Sequence, residues 1–239
     1  EEERTKFIES ICETLHVSFN LDEVIYNDQD KVVWESMGLS SDKQSIENAA
    51  LITKYLMLPF GTSPIPLLLD PTGSASKWLL SYLKSRTKLK FEVLNQNEDR
   101  FIYNLELGVR FGKILIIDDV TQNFTASLLS VLSLRIHSRF NKRVMHIGNK
   151  FVDLHEDFRL ILITTTNDIK NLNGDINANI TIIPFTLTAS GMTDQLLSKW
   201  ISAKHPDMEK KRVDLLQNEG KLMQEKIFLQ VKIYNSKEL

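Results

Sequence analysis

The chain has 239 residues, 42 % hydrophobic and 25 % charged, with a formal net charge of −2 at pH 7. That balance supports one large domain, or a large domain with a helical appendage, around a sizeable core. The near-neutral charge gives no electrostatic case for non-specific binding to nucleic acid or to an anionic membrane. No apolar run approaches the roughly 20 residues that cross a bilayer. The single cysteine, Cys12, excludes an intramolecular disulfide framework and fits a reducing compartment. The opening Glu-Glu-Glu-Arg has neither a methionine nor a signal-peptide core, so a segment of a longer chain is expected.

In chain order, Thr5 to about Leu15 places Phe7, Ile8, Ile11 and Leu15 on one helical face. After Trp34 and Gly38, Ser40-Ser-Asp42 offers N-cap chemistry for a second helix with Ile46, Ala49, Ala50, Thr53 and Met57 on its inner face. Pro59, Gly61, Pro64 and Pro66 mark 59–66 as a loop. Ile65–Leu69 then reads as a buried strand, Lys77–Ser85 as a helix, and Leu89–Leu94 as a strand with Leu89, Phe91 and Val93 on one face. Phe101, Leu105 and Val109 define another helix, followed by the wholly apolar strand Ile114–Ile117 and a helix over 124–137. Arg143–Gly148 and Phe151–Leu154 read as a small hairpin, and Arg159–Thr165 and Thr181–Leu187 as further strands. Continuous apolar strands alternating with helices predict an α/β fold whose mostly parallel sheet is covered on both faces.

Gly191 precedes a helical tail in which Ile201, Met208, Leu215, Leu222 and Leu229 recur every seven residues, widened by Leu216, Met223 and Ile227. Pro206 suits the first turn of that helix. Such a one-sided stripe takes a partner, most simply a returning antiparallel helix, unless the helix packs on its own domain.

Leu67-Leu-Leu-Asp-Pro-Thr-Gly-Ser-Ala-Ser-Lys-Trp-Leu79 has the strand–turn–helix form of a phosphate-binding loop. A working loop needs G-x-x-x-x-G-K-[ST], with glycines for amide approach, a lysine for the β/γ-phosphates and a hydroxyl for Mg²⁺. With Gly73 as an internal glycine, the outer glycines become Asp70 and Ala75, the lysine becomes Ser76 and the hydroxyl becomes Lys77. With Lys77 as the lysine, the glycines become Pro71 and Ser76, and the hydroxyl becomes Trp78. A carboxylate at Asp70 repels a polyphosphate. Neither register builds a cradle. Asp118 stands where a Mg²⁺-facing acid ends a strand, and Asp119 where a longer glutamate would polarise water. Thr164–Asn167, including Thr166 and Asn167, ends a strand where a phosphate sensor could sit. The alternative for these groups is a set of ordinary polar residues at strand exits.

Arg135, His137, Arg139, Lys142 and Arg143 form one basic cluster, read as a solvated helix end. The five histidines lack metal-ligand spacing, no Cys/His pairing supports zinc, and no nucleophile–base pair stands out.

The order of strand, loop and helix, acidic strand, polar-ended strand and helical lid resembles an AAA+ module. Trp34-Glu-Ser-Met-Gly-Leu-Ser-Ser-Asp42, Ser45-Ile-Glu-Asn48 and Leu69-Asp-Pro-Thr-Gly-Ser-Ala-Ser-Lys-Trp78 resemble the fifth AAA+ module of dynein heavy chains, which carries W-x-x-x-G-L, S-x-E-N and D-P-x-G-x-A-x-x-W. Leu105-Glu-Leu-Gly-Val-Arg-Phe-Gly112, Ile147-Gly-Asn-Lys-Phe-Val-Asp153, Phe158-Arg-Leu-Ile-Leu-Ile-Thr-Thr165, Gly191-Met-Thr-Asp-Gln-Leu-Leu197 and His205-Pro-Asp-Met-Glu-Lys-Lys-Arg212 fit the same module. The sequence departs from the commoner form at Thr72 and across Leu172–Ile180.

The resemblance implies a connecting segment over 1–33, an AAA+ large subdomain over 34–190, and over 191–239 the start of a helical small subdomain with an outgoing buttress helix. It implies a degenerate, non-hydrolysing unit with no cofactor of its own, ATP and Mg²⁺ being bound by other modules of a minus-end-directed microtubule motor. The implied partners are neighbouring AAA+ modules and the stalk coiled coil, with microtubules and accessory chains bound by the parent; nucleic acid and membrane are not among them. The implied location is cytoplasmic, on the microtubule cytoskeleton. The stripe Ile201, Met208, Leu215, Leu222 and Leu229 would belong to the buttress, which braces the stalk. Two rival readings remain: a nucleotide-binding or weakly ATPase loop module using Asp118 and Asp119, and a free-standing adaptor that binds a helix through the 201–229 stripe.

Overall fold

The computed structural model describes residues 26–86, 89–121, 124–139, 142–148, 150–166, 177–186 and 189–237; the amphipathic stretch at 5–15 and Asn167 lie outside them. In chain order the elements are α1 (Asp28–Ser36), α2 (Lys43–Met57), β1 (Ile65–Leu69), α3 (Ser74–Ser85), β2 (Phe91–Asn95), α4 (Phe101–Phe111), β3 (Ile114–Asp118) and α5 (Ala126–Leu132). They continue as β4 (Ile136–Arg139), β5 (Lys142–Ile147), β6 (Lys150–Asp153), β7 (Arg159–Thr164), β8 (Ile180–Pro184), α6 (Ala189–Lys204) and α7 (Pro206–Lys237).

Five strands form one parallel sheet in the order β2-β3-β7-β1-β8. Its apolar runs have no polar alternation because each face is roofed by helices. Leu67, Leu115, Ile117, Leu160 and Leu162 point into a core with Phe101, Leu105 and Val109 of α4 and Leu128, Val131 and Leu132 of α5. Leu68, Ile114, Ile116, Ile161 and Ile163 point the other way, into a core with α1, α2 and α3. Gly108 lets α4 lie directly on the sheet, since a Cβ there would meet Leu115 Cδ1 at 2.5 Å. The Arg159 guanidinium, buried at the start of β7, donates to the carbonyls of Leu56 (3.2 Å), Glu156 (2.6 Å) and Phe158 (2.7 Å) and so ties the end of α2 to the sheet. Burial holds its pKa below the usual arginine value.

The α/β class, the strands and most helices are as expected, with local differences that have physical causes. The helix expected over 124–137 is only α5: Leu134 takes a left-handed conformation with φ of 51°, and Ile136 starts an antiparallel meander, β4-β5-β6. The basic cluster therefore lies along a β-hairpin rather than at a helix end. There Arg135, His137 and Lys142 are exposed, while Arg143 Nη2 donates to the Phe60 carbonyl at 2.8 Å. β2 is a sheet edge, so Leu89 and Val93 are exposed and Leu94 is the buried residue. Met57, at the last position of α2, is exposed although Ile46, Ala49, Ala50 and Thr53 are buried as expected. α3 begins at Ser74 rather than at Lys77, because Gly73, at φ 69°, already turns the chain into it. The boundaries expected at 33–34 and 190–191 fall inside α1 and α6.

An aromatic column links α1 to α3. Trp34 meets Trp78 edge-on at 6.2 Å, Trp78 stacks on Tyr82 at 5.7 Å, and the Arg86 guanidinium lies 5.2 Å over the Tyr82 ring. Trp78 is fully buried, which makes it the pin of this face. Replacing Trp78 by Ala should cost about 3–5 kcal/mol. Because Trp34 loses its partner in that variant, the Trp34→Ala/Trp78→Ala double variant should lose less than the sum of the two singles in chemical unfolding. Strict additivity would mean that the two rings do not stabilise each other.

Candidate functional site

β1 delivers Asp70 to the carboxyl edge of the sheet, where its amide donates to the Thr164 carbonyl of β7 at 2.8 Å. The chain then turns through Pro71, Thr72 and Gly73 into α3. Gly73 has open space around a hypothetical Cβ, so glycine is required there for its left-handed backbone and not for room.

The Asp70 side chain is fully buried. Its Oδ1 accepts from the Ser74 amide at 3.1 Å and the Thr72 hydroxyl at 3.3 Å; its Oδ2 accepts from the Ser76 amide and the Ser76 hydroxyl, both at 2.8 Å. Thr72 and Ser74 share a further hydroxyl contact at 2.8 Å. A helix N-terminus exposes unpaired amides and the positive end of the helix dipole, and it is there that a phosphate loop holds its anion. In this chain the anion is internal. A phosphate oxygen would find the Ser74 and Ser76 amides already bonded, and a negative charge beside them.

Of the other expected site residues, Ser76 bonds Asp70 directly and Thr164 meets it through its carbonyl, whereas Lys77, Asp118 and Asp119 are exposed. Lys77 is exposed, its amide bonded within the turn to the Gly73 carbonyl at 3.4 Å. Ser76, which falls at the lysine position in one register, spends its hydroxyl on Asp70. Asp118 and Asp119 are exposed at the end of β3, which is two strands from β1, roughly 10 Å at ordinary strand spacing. Asp118 Oδ1 accepts from the Asp119 amide at 2.9 Å. Asp119 sits at φ 52°, a left-handed position that aspartate tolerates, and the ladder resumes where the Val120 amide meets the Ile163 carbonyl at 2.9 Å. Thr164 is buried and accepts from the Thr166 amide at 3.3 Å, while Thr166 is exposed; Asn167 lies outside the described residues. Among the described residues no group of three or more His, Cys, Asp or Glu side chains could hold a metal. In neither register does the loop carry both a lysine and a hydroxyl at the positions of the phosphate-loop pattern.

The tail stripe lies elsewhere. Ile201 is half-buried, whereas Met208, Leu215, Leu222 and Leu229 are each more than half exposed along α7. Leu215, Asn218, Glu219, Leu222, Met223 and Lys226 line a groove of about 470 Å³ on that helix. Two features had no clear signature: the Thr72 hydroxyl as part of the Asp70 cage, and the packing role of Gly220, described below. The run of hydroxyls at Thr72, Ser74 and Ser76 after an aspartate was the available signal for the first.

A family model described as the ATP-binding dynein motor region matches residues 32–236. The chain is 35 % identical over 204 residues to cytoplasmic dynein 2 heavy chain 1 of Tripneustes gratilla, covering 85 % of this chain and 5 % of that protein. It is 36 % identical over 201 residues to the Homo sapiens protein of the same name, covering 84 % and 4 %. Dynein axonemal heavy chain 1 of Rattus norvegicus is 28 % identical over 192 residues, covering 80 % and 4 %. The chain therefore spans 4–5 % of the length of these relatives.

Replacing Asp70 by Ala strips the first turn of α3 of its acceptor and should cost about 2–3 kcal/mol in chemical unfolding. Lys77→Ala, at an exposed position, should stay within about 0.5 kcal/mol of the unmodified chain. Equal effects of the two substitutions would contradict the cage.

Proposed function

The chain belongs to the ATP-binding dynein motor region family, and from that premise we propose that it is a fifth AAA+ module of a cytoplasmic dynein heavy chain, one that supports the motor ring without hydrolysing ATP. In this reading ATP and Mg²⁺ act at other modules of the same ring, and the parent is a minus-end-directed microtubule motor in the cytoplasm. Neighbouring modules flank this one, accessory chains bind the parent, and the long helix is the outgoing strand of the buttress that braces the stalk.

The observation that carries the non-hydrolysing reading is the Asp70 carboxylate on the Ser74 and Ser76 amides. The residues behind the family resemblance also favour a packing role. Trp34 and Trp78 pack on each other, Ala75 is fully buried, Asn48 Nδ2 donates to the Pro184 carbonyl at 2.8 Å, and Gly112 takes the left-handed position that ends α4. They hold elements together and present no free chemistry. The rival reading, a nucleotide-binding or weakly ATPase module using Asp118 and Asp119, needs loop amides that Asp70 already occupies.

For the relay, the supporting feature is α7 itself. Its 32 residues reach about 48 Å at 1.5 Å per residue, and its apolar stripe is exposed. A stiff helix with an open seam suits a coiled-coil partner, and a shift between two packings of such a seam transmits movement.

Photo-labelling of the full-length heavy chain with an azido-ATP, followed by peptide mapping, tests the first part. Label should appear on other modules and not on the peptides 67–85 and 114–121. Label there, lost on Asp118→Ala, would establish the rival. For the relay, Leu222→Pro in the full-length motor should break α7 and leave microtubule affinity insensitive to nucleotide state while basal ATPase persists. Unchanged coupling would remove the buttress assignment.

A further inference from the structure

The long helix is seated on the domain at one closely fitted point. Gly220, in the middle of α7, is buried, and a Cβ built on it would lie 2.6 Å from Ser36 Cβ, at the end of α1. Any side chain at that position would force the two helices apart. Ser36 is held ready for this contact, its hydroxyl donating back to the Val33 carbonyl at 2.7 Å. Met223, one turn further along α7, packs against the cluster that contains Trp34 and Trp78. The steric fit is good, yet the electrostatics beside it are not. Glu35, adjacent to Ser36, has its Oε1 buried without a hydrogen-bond partner.

We propose that the α1–α7 crossing is a proton-sensitive clasp, fitted at Gly220 and loaded by the neighbouring carboxylates of Glu35 and Glu219, from which the long helix lifts and re-docks. Burial is the main influence on the Glu35 carboxyl and raises its pKa above the usual glutamate value; Lys31 on its own helix opposes this, and Glu219 on α7 adds to it. The docked form therefore binds a proton more tightly than the lifted form. The proton's contribution to docking is fully present below the ordinary glutamate value, is lost as pH rises through the raised value, and does not change further above it. A charged Glu35 leaves a buried oxygen unpaired beside a second negative charge, whereas a protonated Glu35 removes the repulsion and supplies a donor. Glu35 is a positioning residue in this device.

The clasp also separates a fixed end from a movable one. α1 is pinned to α3 through Trp34 and Trp78, so lifting α7 from Gly220 leaves the Asp70 loop undisturbed. This deepens the relay reading and rests on it only for its consequence in the motor.

Hydrogen exchange by mass spectrometry on the full-length heavy chain, corrected for intrinsic rates, tests the clasp in peptides covering 28–36 and 216–223. In the unmodified protein, protection of both peptides should be highest near the ordinary glutamate range, fall together as pH rises through the raised Glu35 value, and level off above it. Glu35→Gln should slow exchange by about three- to tenfold at the basic end and flatten the profile. Gly220→Val should speed exchange in both peptides at once. A Glu35→Gln protein with the rates and pH profile of the unmodified one would overturn the clasp, as would Gly220→Val exposing neither peptide. Nucleotide-dependent microtubule affinity in the same variants reports separately on the relay. A changed exchange profile with unchanged coupling upholds the clasp and detaches it from the relay.

Discussion

The Asp70 carboxylate, fully buried at the carboxyl edge of the parallel sheet, accepts from two amides and a hydroxyl at the start of α3 and from the Thr72 hydroxyl. This places a negative charge at the positive end of the helix dipole, where an anion is stabilised whether it comes from a ligand or from the chain. A ligand-filled loop responds to its ligand, but a carboxylate tethered to β1 is always present. The strand–turn–helix unit is thereby held in one geometry, and Trp78, one turn into α3, is held with it.

From that fixed point, contacts run outward through packing. Trp78 meets Trp34 on α1, α1 meets α7 at Ser36 and Gly220, and Met223 returns from α7 to the same cluster. The chain of contacts is continuous, from the Asp70 loop to the helix whose outer stripe is exposed. At its α1–α7 link, burial and the Glu219 carboxylate raise the Glu35 pKa while Lys31 opposes them. Under the proposed function, movement imposed on the module is transmitted where one joint is stiff and another yields.

Much of this was legible in the residues. The apolar runs Ile65–Leu69 in β1, Ile114–Ile117 in β3 and Leu160–Ile163 in β7 announced buried parallel strands, because both sheet faces are roofed and no alternation is required. The failed register around Asp70 and Lys77 was equally visible. What the pattern could not carry was the sign of the Asp70 interaction. Read alone, the acid repels a phosphate; in the fold it accepts from the Ser74 and Ser76 amides that open α3. Leu134 hid the end of α5, since nothing in its side chain demands a left-handed backbone. The heptad stripe drew attention to Leu215 and Leu222, yet α7 seats itself through Gly220 and Met223, on a face whose key residue has no side chain to count.

The central claim is that the phosphate position of this loop is filled by the chain's own carboxylate. A high-resolution structure of the intact heavy chain at saturating Mg²⁺–ATP tests it most directly. The prediction is nucleotide at other modules, no phosphate density at residues 70–76, and Asp70 within hydrogen-bond distance of the Ser74 and Ser76 amides. A phosphate seated on those amides, with the Asp70 side chain rotated away, would contradict it.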